Sequence, residues 1–102
     1  MKFANQIGYS DVTPYEVVGQ KGKGLVVRSM SYVKDESVEL EFHAGGFSAY
    51  CSNQSDQKWI IESDESAATV VIRQHKDGKW RDSMRNSYAL ADAPRRFYDY
   101  NF

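Results

Sequence analysis

Apolar and polar residues alternate along much of this chain with a period of two, which is typical of half-buried β-strands. The clearest case is residues 38–43, VELEFH, where Val38, Leu40 and Phe42 share one predicted face. No segment repeats apolar residues at helical spacing over three turns. At most one short helix is expected, near Ala89–Phe97 or before Thr13.

Turn residues divide the rest of the chain into short strands. Pro14 restricts the first strand to a sheet edge or a strand start, and three glycines in Gly19–Gly24 predict a turn. Asp77-Gly78 predicts a hairpin that leads into Trp80-Arg81. The other predicted strands are Thr13–Val18, Leu25–Val33, Phe47–Cys51, Lys58–Ser63, Ala68–His75 and Ser87–Leu90.

Six or seven short strands with regularly spaced turns indicate an all-β fold, a small antiparallel barrel or sandwich. We favour a barrel, of which an SH3-like barrel is one form, because closure removes exposed sheet edges. A chain of 102 residues is expected to form a single domain, residues 1–102.

Composition narrows the class of protein. Hydrophobic residues make up 41% of the chain, which suits a compact core that folds without metal or disulfide help. No cofactor is expected. The single cysteine, Cys51, excludes an intramolecular disulfide. The first residues lack an apolar signal segment, and no stretch approaches the roughly 18 apolar residues of a membrane span. We therefore expect a cytoplasmic protein without membrane contact.

Charge is distributed unevenly. Residues 1–67 contain six Lys/Arg and ten Asp/Glu, a net charge of −4, whereas residues 68–102 contain seven and four, a net charge of +3. Two explanations remain open: the acidic and basic parts pair across the sheet, or they form separate faces for different partners.

The basic final third has the features of a nucleic-acid-binding surface. Such surfaces combine positive charge with aromatic rings on which bases stack. The residues that would bind a single strand are Arg73, His75, Lys79, Trp80 and Arg81. The Gly/Lys-rich residues 19–24 lack the spacing of a phosphate-binding loop, yet a basic turn there is a further contact point for phosphate.

Four of the last six residues are aromatic, and two arginines precede them. A chain end frays unless something holds it, so this segment either completes the core or contacts a partner. Trp, Tyr and Arg dominate protein interfaces, and binding to a protein partner is the first functional hypothesis. The tentative contact residues are Arg95, Arg96, Tyr98, Tyr100 and Phe102.

Residue types that would indicate catalysis or metal binding are sparse. Cys51 with His43 is the one nucleophile–base pair considered, and strand parity places the two on opposite faces. One cysteine and two distant histidines match no metal-ligand spacing. We expect no catalytic residues and no metal site.

Three stretches together resemble a family of small uncharacterised proteins encoded by bacteriophages, prophages and plasmids. They are IGYSDVTPYEVV at 7–18, GGFSAYCSNQ at 45–54 with QKWII at 57–61, and PRRFYDYNF at 94–102. The resemblance implies an accessory protein of a mobile element that binds a host or defence factor in a bacterial cytoplasm. It identifies no functional residue, and the partner and oligomeric state stay open.

Overall fold

The computed structural model describes residues 2–35, 37, 42–45, 48–51 and 57–98. Within these ranges the chain forms β-strands and no helix. The strands are β1 (Phe3–Ile7), β2 (Val12–Thr13), β3 (Tyr15–Lys21), β4 (Gly24–Ser29), β5 (Ser31–Lys34), β6 (Phe42–Gly45), β7 (Ser48–Cys51), β8 (Trp59–Glu62), β9 (Thr69–Gln74), β10 (Trp80–Arg81) and β11 (Ser87–Ala91).

Six antiparallel strands form a closed barrel. Their order is β11-β10-β9-β4-β3-β1, with β2 as an additional strand beside β1, and pairing of β1 with β11 closes the barrel. The all-β prediction and the preference for a barrel are confirmed. Closure leaves the barrel strands paired on both sides, which removes the edges that would otherwise recruit other chains.

Alternating residues from these strands fill the barrel interior. Ala4, Val27, Ile72 and Tyr88 form its buried centre. Larger side chains pack around them: Tyr15, Val17, Leu25, Val70, Trp80 and Leu90. Burial of a Val or Ile side chain contributes about 1.5–3 kcal/mol, so this small cluster is a main source of the barrel's stability.

Strand β1 has no counterpart among the predicted strands, because its centre is polar. Asn5 is only 5% exposed, and its side chain bonds to backbone groups rather than to water. Asn5 Nδ2 donates to the carbonyl of Ala93 at 3.1 Å, and Asn5 Oδ1 accepts from the amide of Arg95 at 2.9 Å. A buried, paired asparagine breaks the apolar pattern without breaking the strand.

The strand boundaries predicted around β3 and β4 are wrong. The turn expected over residues 19–24 is shorter, since β3 continues to Lys21 and β4 begins at Gly24, opposite it. The long strand expected over residues 25–33 is interrupted at Met30, which is buried and donates its amide to the Pro14 carbonyl at 3.1 Å. Pro14, which has no N–H for the ladder, separates β2 from β3.

Two small sheets extend from the barrel. Strand β5 leaves the barrel after Met30 and pairs with β8, and β6 pairs with β7. Of the strand predicted at residues 38–43, residues 38–41 lie outside the described part of the chain, while Phe42 and His43 belong to β6.

Candidate nucleic-acid interface

The described part of the C-terminal segment is held against the body of the protein. Phe97 and Val12 exchange two backbone hydrogen bonds, of 2.9 and 3.0 Å, in an isolated antiparallel bridge. Asn5 holds the amide of Arg95, whose side chain is exposed. The segment therefore completes the fold as far as Tyr98, whereas Tyr100 and Phe102 lie outside the described residues.

Arg96 occupies a cluster of three aromatic rings. Its guanidinium carbon lies 4.3 Å from the ring centre of Tyr32, 5.2 Å from that of Trp59 and 5.6 Å from that of Tyr98. These distances are within the range of cation–π attraction. Of the residues expected to contact a partner, Arg96 is thus partly enclosed by its own chain.

Gln57 links the same cluster to the tail backbone. Its Oε1 accepts from Trp59 Nε1 at 2.7 Å and from the Tyr98 amide at 2.9 Å, and its Nε2 donates to the Tyr98 carbonyl at 2.8 Å. Tyr98 nevertheless leaves 43% of its surface exposed.

A basic concavity of about 730 Å³ lies on the outer surface of the barrel beside β9 and β10. Three of the residues predicted to bind nucleic acid, Arg73, His75 and Arg81, line it together. The other lining residues are Lys21, Thr69, Val70, Val71, Asp82, Ser83 and Arg85. Among the described lining residues, four Lys/Arg side chains therefore converge with one carboxylate.

Strand alternation produces this surface. On β9 the buried Ile72 faces the core, so its neighbours Val71 and Arg73 face outward. The register places Arg81 of β10 directly opposite Arg73. Two like charges at opposed positions repel each other, which leaves this face suited to an anion.

Gly24 on β4 lets the stem of Arg73 lie close to the sheet. A Cβ atom at this glycine would be 2.9 Å from the Ile72 carbonyl oxygen and 3.3 Å from Arg73 Cγ. Any side chain at position 24 would therefore displace β9 or the arginine.

One of the four cations is partly neutralised. Arg81 forms a two-pronged ion pair with Asp77, with Nη2 2.8 Å from Oδ2 and Nη1 3.2 Å from Oδ1. The hydrogen bonds from Arg81 lower the pKa of Asp77 to about 2. Within the described ranges, Lys21, Arg73 and Arg85 have no carboxylate within ion-pair distance.

The remaining two predicted residues lie elsewhere. Lys79 is exposed and borders a second, smaller cavity of about 300 Å³, between β1 and β11. Trp80 packs against the core. Its ring therefore packs toward the barrel interior.

Lys21 and Arg85 also line the concavity, although neither is among the predicted nucleic-acid-binding residues. Lys21 reaches the concavity because β4, which follows its hairpin, pairs with β9. The basic Gly/Lys turn noted in the sequence is thus joined to the basic strand by tertiary pairing, which no local pattern shows. Arg85 comes from the turn between β10 and β11.

The two explanations for the uneven charge can be compared with the ion pairs whose partners are both described. These are Arg28–Glu16 at 2.6 Å and Arg81–Asp77 at 2.8 Å. Each joins residues close in sequence, so neither pairs the acidic part of the chain with the basic part.

His43 and Cys51, the candidate nucleophile–base pair, lie on the paired strands β6 and β7. The β6–β7 register pairs His43 with Tyr50 and Phe42 with Cys51, so His43 and Cys51 are not opposite each other. In the described part of the chain, no three His, Cys, Asp or Glu residues form a group able to hold a metal ion. Nor do the described residues include a helix long and apolar enough to cross a membrane.

No protein-family model, curated protein or solved structure matches the chain.

Proposed function

We propose that this protein is a non-enzymatic binder of single-stranded nucleic acid that contacts the phosphate backbone through the basic concavity. The observation that supports this proposal is the convergence of Lys21, Arg73, Arg81 and Arg85 on one outer face of a small barrel. Barrels of this size bind single strands on such faces. His75, also in the lining, offers the ring there for contact with a base.

The shape of the site favours a single strand over a duplex. A flexible strand can follow a concave surface, whereas duplex DNA has a persistence length of about 150 base pairs and resists bending over a short site. Since Trp80 is directed to the core, affinity should come mainly from phosphate contacts and depend strongly on salt. Each phosphate neutralised on a single strand contributes about −0.7 to the slope of log K against log salt, so three unpaired cations and the partly neutralised Arg81 predict a slope of about −2 to −3.

The direct test is fluorescence anisotropy with a labelled oligonucleotide of about 12 nucleotides, titrated from roughly 50 mM salt upward. Arg73→Ala should weaken binding and reduce the slope by about 0.7. Lys58→Ala is the charge-matched control, because Lys58 is exposed and lies outside the concavity. Absence of wild-type binding at low salt would contradict the proposal, and stronger binding to the matching duplex would contradict its single-strand part.

Stoichiometric binding of a host or defence protein, the role implied by the family resemblance, is the second candidate. It is supported by an exposed apolar pair: Val33 of β5 and Ile60 of β8 face each other in the ladder and are 60% and 49% exposed. Such patches are used in protein contacts. Cross-linking in a bacterial lysate with wild type and with Val33→Ser/Ile60→Ser tests this candidate. A cross-linked protein lost in the double variant supports it, and unchanged cross-links contradict it. A cytoplasmic location belongs to both proposals.

A further inference from the structure

Two consecutive hairpins of the barrel have the same backbone hydrogen-bond pattern. In the first, between β9 and β10, the His75 amide donates to the Lys79 carbonyl and the Gly78 amide donates to the His75 carbonyl. In the second, between β10 and β11, Asp82 and Asn86 replace His75 and Lys79, and Arg85 replaces Gly78. Gly78 and Arg85 therefore occupy equivalent positions.

Both positions have a left-handed backbone. The φ angle is 85° at Gly78 and 67° at Arg85. Hairpins with three-residue loops usually place glycine there, because any other residue brings its Cβ too close to the backbone. Arg85 is the one non-glycine residue with positive φ among the described residues, since the remaining case is Gly22 at 58°. The first hairpin thus has the glycine that this left-handed position favours, whereas the second has an arginine there.

Asp82 holds Arg85 in this conformation. Its carboxylate accepts hydrogen bonds from the amides of Met84 and Asn86 at 2.9 and 3.0 Å, from Asn86 Nδ2 at 3.0 Å and from the Tyr88 hydroxyl at 2.9 Å. Tyr88 belongs to the barrel core. The turn is therefore fixed to the rigid part of the molecule.

The charge state of Asp82 supports the same conclusion. Burial by itself would raise the pKa of Asp82, but the hydrogen bonds from Asn86, Tyr88 and the Met84 amide outweigh it and lower the pKa. The carboxylate is thus an ionised acceptor at neutral pH, when nucleic acid would bind.

We infer that Arg85 is a phosphate-binding residue of the basic concavity and that Asp82 is its positioning residue. This inference rests on the proposed function and extends it to a particular contact. Arg85 lines the concavity with Arg73 and Lys21, and strain retained at a surface turn is typical of a site where function opposes stability. Ser83, in the same turn and the same lining, offers a hydroxyl donor to the same phosphate.

Arg85→Gly is the decisive variant, because stability and binding should change in opposite directions. Glycine relieves the left-handed strain, so Tm should rise by about 2–6 °C. Loss of the cation should weaken oligonucleotide binding by about tenfold and reduce the salt slope by about 0.7. Arg85→Lys keeps a cation and should recover part of the affinity without the rise in Tm.

Asp82→Ala separates positioning from net charge, because alanine lacks both the charge and the oxygen that accepts from the Met84 and Asn86 amides. It removes the one carboxylate among the described lining residues, so charge alone would strengthen oligonucleotide binding. If Asp82 positions Arg85, binding becomes weaker instead, at a temperature where circular dichroism shows the variant folded. Stronger binding by Asp82→Ala would overturn the positioning role.

The outcomes distinguish this inference from the proposed function. Normal binding by Arg85→Gly together with weak binding by Arg73→Ala would overturn the role of Arg85 and leave the proposed function intact. A fall in both Tm and affinity for Arg85→Gly would show that the arginine is structural. If wild-type protein fails to bind the oligonucleotide, the proposed function itself is wrong.

Discussion

Replacement of Arg96 tests whether a cation–π cluster anchors the C-terminal segment. The guanidinium faces the rings of Tyr32, Trp59 and Tyr98 at 4.3–5.6 Å. Each contact contributes about 0.5–1 kcal/mol when exposed and about 2 kcal/mol when desolvated. Tyr32 and Tyr98 are 37% and 43% exposed, so the lower range applies to them, and the three contacts together contribute about 2–3 kcal/mol.

One feature of the cluster opposes this gain. Arg96 Nε is buried without a hydrogen-bond partner in the described structure, and an unpaired buried donor costs about 1–3 kcal/mol. Nη1 has only long contacts, of 3.4 Å, to the Val12 carbonyl and the Thr13 hydroxyl. Arg96→Ala also loses the packing of the side-chain stem, so the expected net loss of unfolding free energy is about 1–2 kcal/mol.

The assay is urea unfolding followed by circular dichroism, because Trp59 fluorescence would respond to the substitution itself. In a thermal melt, a loss of unfolding free energy of this size lowers Tm by about 5–10 °C in a domain of this length. Arg96→Lys keeps the cation without the Nε donor and should be more stable than Arg96→Ala. Arg96→Met keeps the stem without the charge. If the methionine variant is as stable as wild type, the ring contacts do not exceed the cost of the unpaired donor, and the reasoning is refuted.

Three further substitutions test the packing and the electrostatics of the barrel. Asn5→Ala leaves two backbone groups at the start of the tail unpaired and should lower the free energy of unfolding by about 2 kcal/mol in a urea melt; Asn5→Asp keeps the acceptor for the Arg95 amide but places a buried carboxylate against the Ala93 carbonyl oxygen, so it should lose at least as much. Gly24→Ala places a Cβ 2.9 Å from the Ile72 carbonyl oxygen, so we expect a loss of about 1–3 kcal/mol and weaker oligonucleotide binding; unchanged stability would show that β4 shifts freely. The hydrogen bond from Arg28 lowers the pKa of Glu16 below its ordinary value of 4.5, so its stabilising effect is present above pH 4.5 and is lost as pH falls further. Glu16→Gln should therefore unfold with a weaker pH dependence in acid, and an unchanged acid profile would contradict this.

The alternation of apolar and polar residues was sufficient to predict those barrel strands that present one apolar face to the interior. Val27 and Ile72 follow that rule, and both are completely buried. The alternation pattern did not predict β1. Asn5 is buried there because its side chain forms hydrogen bonds to residues about 90 positions away in the sequence. A bond of that sequence separation leaves no local signal, so a polar strand of this kind cannot be recognised from its own residues.

The candidate site likewise contains residues that local patterns predict and residues that they do not. Parity along β9 correctly placed Arg73 and His75 on one face, and both line the concavity. Lys21 is brought there only by the pairing of β4 with β9. Arg85 depends on a turn conformation that its residue type does not favour. Local sequence patterns therefore indicated the strand that carries the site. The positions of Lys21 and Arg85 depend on tertiary strand pairing and on a strained turn, which local patterns do not show.

The opposed arginines of β9 and β10 connect the stability of the barrel with its proposed ligand. Arg73 and Arg81 occupy paired positions, and like charges in that arrangement destabilise a sheet. Among the described residues, Asp77 in the adjoining turn pairs with Arg81, no carboxylate pairs with Arg73, and the backbone at Arg85 in the next turn is strained. An anion bound between these side chains would neutralise the repulsion, and a ligand that binds only the folded state stabilises it. The charge repulsion that weakens this face in the free protein is therefore the term that a bound phosphate backbone would offset.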